Sequence, residues 1–479
     1  MKGRLWVLLA LLPVSVAVLV MAHVTLNETK DKVVLQETVL TGDRSAAAGI
    51  TIKERVESEN GRLLWETAFS PETETLAPET EFSFCLNPPR EEYVWESEVY
   101  MEVAGSNFGI GSSHDIDLED PGYGNLSVMR LPVADVASRT PAGEERKEVL
   151  RLRDYYEYYP IQLDIVYRPS GDNMGSFSYS ALDEEGAVGK LAEYFAIEVP
   201  ENHQVEITTY RDEAGNLLDI DCRSFDGDPQ IWWETVLGEE GVFVCVTVSD
   251  WQTGEPMDLV RCADGQGIWF IPFGVDPTRV EGVGYDMVDL DGIRLVYPME
   301  INNGDRVSML LSEDGSALLI YTLQEGVLHL SVLDTKTWEV RQELDLLRTE
   351  EEKPYIRNVL VQDGLQVVLL GDLQFALLTE SGGVYTPELT GQLEEEWGKY
   401  MNDFSRLLWD GERLAWLDYS TWDYDEDAVY NRTMLVYLAV CDESGVTFAA
   451  RYDNSIFRDP AAIKEYCYYP DGRQPLSLN

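Results

Sequence analysis

Basic residues are scarce in this chain: 36 Lys and Arg stand against 87 Asp and Glu over 479 residues, a formal net charge of -51. A surface with that balance repels nucleic acid and anionic lipid headgroups, so neither is expected as a partner of the body of the protein. The acidity is spread along the chain with no acidic tail, and its plainest role is solubility. Histidine is scarcer still, with His23, His114, His203 and His329 far apart and no Cys/His cluster or CxxC pair near them, which leaves a zinc site little material. Six cysteines (Cys85, Cys222, Cys245, Cys262, Cys441, Cys467) are too few for a disulfide scaffold at this length. Cys245 and Cys262 flank a turn around Gly254 and Pro256, so a cross-strand bridge and two buried thiols are both open readings.

Motifs of known chemistry are missing too. There is no GxSxG elbow, Ser-x-x-Lys pair, HExxH, P-loop, or GxGxxG following a strand. GIGSSHD at Gly109 to Asp115 sets serines beside His114, but adjacency in sequence does not make a triad, and a glycine-rich turn explains it.

One long apolar run is present. Lys2 and Arg4 precede Leu5 to Ala22, eighteen uncharged residues interrupted by Pro13 and Ser15, and polar sequence begins at His23. This is an export signal, near the lower length for crossing a hydrocarbon core and long for a cleaved signal peptide. Val20 and Ala22 fit a cleavage site; the length and Met21 favour a retained anchor. No cysteine lies near its end, which excludes a lipoprotein anchor, and no second such run occurs. The basic flank predicts a single-pass protein with residues beyond 24 on the outer face.

Beyond the anchor, period-2 patterns dominate. In ITIKERVESENGRLLWETAF the Asn60-Gly61 pair predicts a type I′ turn, which sets Glu59 opposite Arg62, Val56 opposite Trp65, Arg55 opposite Glu66 and Ile52 opposite Phe69. One face of that ribbon is then apolar and the other carries a Glu/Arg pair. From about residue 90 to 450 short apolar runs alternate with Gly, Asp and Asn turns. Helical patterns are expected only at Gly143 to Arg153 and Gly391 to Leu408. Asp-Gly turns at Asp291-Gly292, Asp363-Gly364 and Asp410-Gly411 are each followed by a second hairpin, with turns near Asp334 to Lys336, Ser381 to Gly383 and Asp442 to Gly445. Two successive hairpins make a four-stranded meander, the blade of a β-propeller, although the spacing is irregular and no WD or kelch signature repeats. The expected fold is all-β, a propeller-like array of four-stranded meanders with a small N-terminal β module and one apolar helix. Its expected divisions are an anchor at 1–24, a hairpin module at 25–88, a propeller-like ectodomain at 89–455 and a tail at 456–479.

The juxtamembrane stretch VLTGDRSAAAGITIKERVESENGRLLWETAF, with the propeller-like body behind it, resembles exported membrane-anchored proteins of clostridial-type bacteria. The resemblance implies a bacterial surface address and carries no activity. It makes the sequons at Asn27, Asn125 and Asn431 coincidental.

Candidate site residues fall into two groups. DYYEYYP concentrates Tyr155, Tyr156, Tyr158 and Tyr159 beside acids, and Trp422 lies near an expected turn; exposed on loops, such rings anchor sugars, peptides or proteins, whereas in strands they are core. Asp115, Asp117 and Glu119 in HDIDLED, and Asp423, Asp425 and Asp427 in WDYDEDA, alternate as calcium ligands do. Neither run matches an EF-hand loop, and solvated turns are the plainer reading. A structural calcium is the one cofactor in view. The sequence thus favours a binding or scaffold protein for an envelope glycan, extracellular ligand or protein partner. A carboxylate-dependent glycan or peptide hydrolase and a sensory or structural ectodomain are the alternatives.

Overall fold

A computed structural model describes residues 2–30, 32–57, 63–84, 98–103, 128–167, 177–180, 191, 194–224, 229–250, 253, 255, 257–274, 288–300, 307–351, 354–393, 406–420, 435–454 and 476–478. The chain is all-β, a propeller-like array of small antiparallel meanders with one long N-terminal helix, Lys2–Lys30. Its contacts divide it into two compact units, residues 1–91 with 356–479, and residues 92–355.

Among the described residues, three sheets make up the β part of the first unit. A seam sheet is assembled from distant parts of the chain, in the order Leu476–Leu478, Ile50–Glu57, Leu63–Phe69, Glu79–Phe84. A central sheet of five strands runs Leu35–Gly42, Gly445–Asn454, Leu435–Asp442, Leu414–Ser420, Arg406–Trp409. A third is a sequential meander of Ile356–Gln362, Leu365–Leu370, Gln374–Ser381 and Val384–Gln392. Leu417, Val436, Leu438 and Tyr452 of the central sheet pack with Ile52, Trp65 and Phe69 of the seam sheet. On its other face Trp416, Ala439 and Ala449 pack with Val367, Phe375 and Leu377 of the meander. Because both faces are covered, LAWL and LVYLAV read as continuous apolar runs and not as alternation.

The second unit repeats the pattern. Pro229–Leu237, Gly241–Asp250, Gly267–Pro272 and Arg294–Pro298 form one four-stranded sheet, and Val307–Leu311, Ala317–Gln324, Val327–Asp334 and Val340–Arg348 another. Phe243 and Phe270 of the first meet Leu318, Ile320 and Leu333 of the second. The next residues along Gly241–Asp250, Val242, Val244, Val246 and Val248, face a larger cluster with Leu152, Ile161, Phe195, Val205 and Ile207. Two three-stranded sheets, the two-stranded pair of Phe195–Ile197 with Val260–Cys262, and the helix Arg130–Arg139 also contribute to that cluster, the helix through Val133 and Val136 one turn apart.

The hairpin register follows the turn chemistry: Ile52 pairs with Phe69, Arg55 with Glu66 and Val56 with Trp65, while Glu59, Asn60, Gly61 and Arg62 lie outside the described residues. Asp363 and Gly364, at φ 50° and 77°, join Ile356–Gln362 to Leu365–Leu370. Asp410 closes its turn by accepting from the Glu412 and Arg413 backbone N–H groups at 2.9 and 2.6 Å. The three second hairpins form where expected.

Several expectations need correction. Asp291-Gly292 is no hairpin turn: Leu290–Gly292 is a turn of 3-10 helix, whose N–H groups at Asp291 and Gly292 donate to the Asp289 carboxylate. Expected helix Gly143 to Arg153 is largely the strand Glu145–Arg151, paired along its length with Gln204–Arg211. At Gly391 to Leu408 the described ends are strand, in Val384–Gln392 and Arg406–Trp409. Residues 25–88 supply strands that pair with Gly445–Asn454 and Leu476–Leu478, so these stretches share sheets with distant parts of the chain.

Candidate functional site

The tyrosine-rich segment leaves the strand Glu145–Arg151 through a short 3-10 turn at Leu152–Asp154. Arg153 fastens it by donating to the carbonyls of Glu157 and Val199 at 2.6 and 2.9 Å. Its four rings then take different places. Tyr159 is buried, its hydroxyl 2.6 Å from His203 Nδ1, so it is a core residue and not a surface anchor. Tyr156 is half-buried against the same cluster. Tyr155 donates its hydroxyl to Asp135 Oδ2 at 2.6 Å; partial burial first, then the Asp135 carboxylate, push its phenol up to about 12. Asp135 also receives Arg139, which reaches on to Glu148, and Arg146 joins Glu148. Tyr158 remains, 38% exposed, with its backbone bridged to Glu198. Trp422 lies outside the described residues.

A second polar group is one the sequence reading passed over. Glu54 is buried to 1% exposure on the apolar side of the hairpin. Thr67 is its cross-strand partner and Thr80 is the partner of Thr67, so three polar side chains form a row across the seam sheet. The two threonine hydroxyls are 3.1 Å apart. Asn454 of the central sheet donates from Nδ2 to Glu54 Oε2 at 2.7 Å and to Thr67 Oγ1 at 3.3 Å. Burial, helped by the Asp453 carboxylate and opposed by Asn454, pushes the Glu54 carboxyl up to about 7. The signal was in the alternation: Glu54 sits between Ile52 and Val56 in the same phase, and Thr67 between Trp65 and Phe69.

The third feature is the long helix. Its apolar stretch is open to the surroundings, with Leu12, Leu19 and Met21 68 to 70% exposed. Its last turns are not: Leu26 packs against the seam-sheet cluster, the His23 ring lies edge-on to Phe82 at 5.7 Å, and Lys30 pairs with Glu81 at 2.5 Å. These residues fall at i, i+3 and i+7, one face of a helix.

Among the described residues no group of three or more His, Cys, Asp or Glu is placed to hold a metal ion. Asp115, Asp117, Glu119, Asp423, Asp425 and Asp427 lie outside them. Cys222, Cys245, Cys262 and Cys441 are free thiols. Cys245 belongs to the cluster with Phe243, whereas Cys262 packs against the opposite cluster, and burial raises these thiols to about 12 and about 11. The pair is therefore two free thiols, Cys245 buried and Cys262 half-buried, and not a cross-strand bridge.

No family model matches the chain, and no curated protein matches it. Among solved structures it is similar to TolB from Acinetobacter baumannii, 9% identical over 86% of this chain and 81% of that one, at a TM-score of 0.23. It is also similar to prolyl oligopeptidase B from Galerina marginata, 9% identical over 66% of this chain and 45% of that one, at 0.22. At such values the fold assignment rests on the sheets of this chain, and no activity transfers.

Proposed function

We propose that the protein is a membrane-tethered binding protein of the cell exterior, held by a retained N-terminal helix. One observation carries the reading: a continuous helix is apolar and fully exposed along one part and docked on its own sheet along the next. Exposed leucines on a helix need an apolar solvent, and the eighteen-residue run would traverse about 27 Å of bilayer core. Mean hydropathy over Leu11–Glu28 is 1.6, in keeping with that use. Because His23, Leu26 and Lys30 are fixed to the seam sheet, the anchor joins the ectodomain without a loose linker.

Support for binding is the Tyr158 ring, held out beside Glu157 by neighbours whose own rings are tied down, which presents aromatic area at low entropic cost. Envelope glycan is the ligand class that an amphipathic ring beside a carboxylate suits. The test is to express the full chain in a bacterial host. We expect it in the carbonate-resistant membrane pellet with its first residues intact by mass, protease-accessible from outside, and retained on purified cell-wall sacculi about five-fold better than Tyr158→Ala. Release of a shortened protein into the medium would overturn the tether; equal retention of the variant would overturn the glycan reading.

A further inference from the structure

The hairpin strand Ile50–Glu57 carries the buried Glu54 and is also where the C-terminal strand is held. Its Ile50, Thr51 and Ile52 pair with Leu478, Ser477 and Leu476, three pairs against the six that join the same strand to Leu63–Phe69. Glu54 stands two residues from that short junction. One of its oxygens accepts from Asn454, while Oε1 has no hydrogen-bond partner among the described residues. The groups around it leave little to balance a charge. Thr67, Thr80 and Asn454 are neutral, and Asp453 adds a like charge from the central sheet. Further along that face Glu37 is closed by Arg44, and Lys53 points to the exposed side of the hairpin. No cation therefore offsets an ionised Glu54 among the described side chains that face it. An anion with one donor and a bare oxygen in such a place is strongly disfavoured, and the least costly relief is local opening that admits water. The most weakly attached neighbour, the three-residue strand Leu476–Leu478, is the element that yields.

We propose that Glu54 is a proton-operated latch on the chain's closing seam: protonated, it keeps the C-terminal strand in the sheet, and on losing its proton it lets that strand go while the rest of the unit stays folded. The device makes the seam tight in an acidified exterior and loose in a neutral or alkaline one.

The test is hydrogen exchange read by mass spectrometry on the full chain in nanodiscs, from about pH 5.5 to 8.5, with labelling times scaled to the intrinsic exchange rate. In the wild type, opening of the peptides covering 50–57 and 476–478 should rise at least ~ten-fold across neutral pH, the change that one unit of carboxyl titration produces. Peptides covering 435–442 should not change. Glu54→Gln should stay closed at every pH, and Asp453→Asn, which removes the like charge and so lowers the closed-state value of the Glu54 carboxyl, should make the rise level off at a lower pH and end smaller than in the wild type. Identical pH dependence in wild type and Glu54→Gln, or no dependence in the wild type, would sink the latch. Should Glu54→Gln not fold, the infrared band of a protonated buried carboxyl decides: it should titrate near neutral pH in the wild type, and its absence overturns the proposal.

Discussion

Two kinds of carboxylate respond to pH in opposite directions. Asp334 accepts from the backbone N–H groups of Thr337 and Lys336 and from Arg341, which hold it well below the usual range, and Asp314 is lowered to about 2 chiefly by Ser316. Such groups stabilise the fold above the unfolded carboxyl range and lose that contribution as pH falls through their folded values. Glu54 is raised, so its contribution is complete below about 4.5 and is lost as pH climbs to about 7. A shift of that size corresponds to about 3 kcal/mol at most. Thermal unfolding followed across pH should therefore peak between the two windows, near pH 4 to 5, with Glu54→Gln flattening the alkaline limb and leaving the acid limb in place. A wild-type Tm that climbs steadily from pH 5 to 8 would contradict this assignment. Glu54 was legible in principle, since its phase with Ile52 and Val56 put it on the apolar face; Asn454, which meets it from 400 residues away, was not.

Elements were readable where turn chemistry and side-chain period agreed. The register expected for the hairpin Ile50–Glu57 with Leu63–Phe69 and the place of the Asp363-Gly364 turn were both right, the second because it reduces to local φ preferences. Glu145–Arg151 misled because GEERKEVLR is rich in good helix formers, yet charged residues are also what an edge strand carries; Lys147 reaches Glu206 across the ladder at 2.6 Å. The helix Arg130–Arg139 went unnoticed because it is short and carries Pro132 near its start. Glycine contacts supply a test at this scale. Gly42 sits at φ 79° where a Cβ would fall 1.9 Å from the Thr447 carbonyl oxygen, whereas at Gly364 (φ 77°) the nearest atom would be 3.5 Å away. Gly364→Ala should cost about 1 kcal/mol, the left-handed penalty alone, and Gly42→Ala at least about 2, because backbone must move. Urea denaturation of the two variants should separate them in that order.

For the whole molecule, the all-β class and the hairpin-by-hairpin construction could be read from apolar runs and turn residues, because each depends on neighbours in sequence. Which strands close the sheets could not. Leu35–Gly42 joining Gly445–Asn454, and Ile50–Ile52 joining Leu476–Leu478, are pairings between distant segments with no local signature. Deleting residues 476–479 should bare the hydrogen-bonding edge of Ile50–Ile52, lower the Tm by several degrees and promote association between molecules, measurable by light scattering. An unchanged Tm and a monodisperse sample would show that the closing strand contributes nothing to stability.

That same pairing sets a timetable for biogenesis. The segment Ile50–Glu57 is synthesised some 400 residues before the strand it pairs with, so this junction is a pairing of high sequence separation that forms late and slowly. Until that mate is made the strand edge is bare, and the unfinished chain is open to edge-to-edge association.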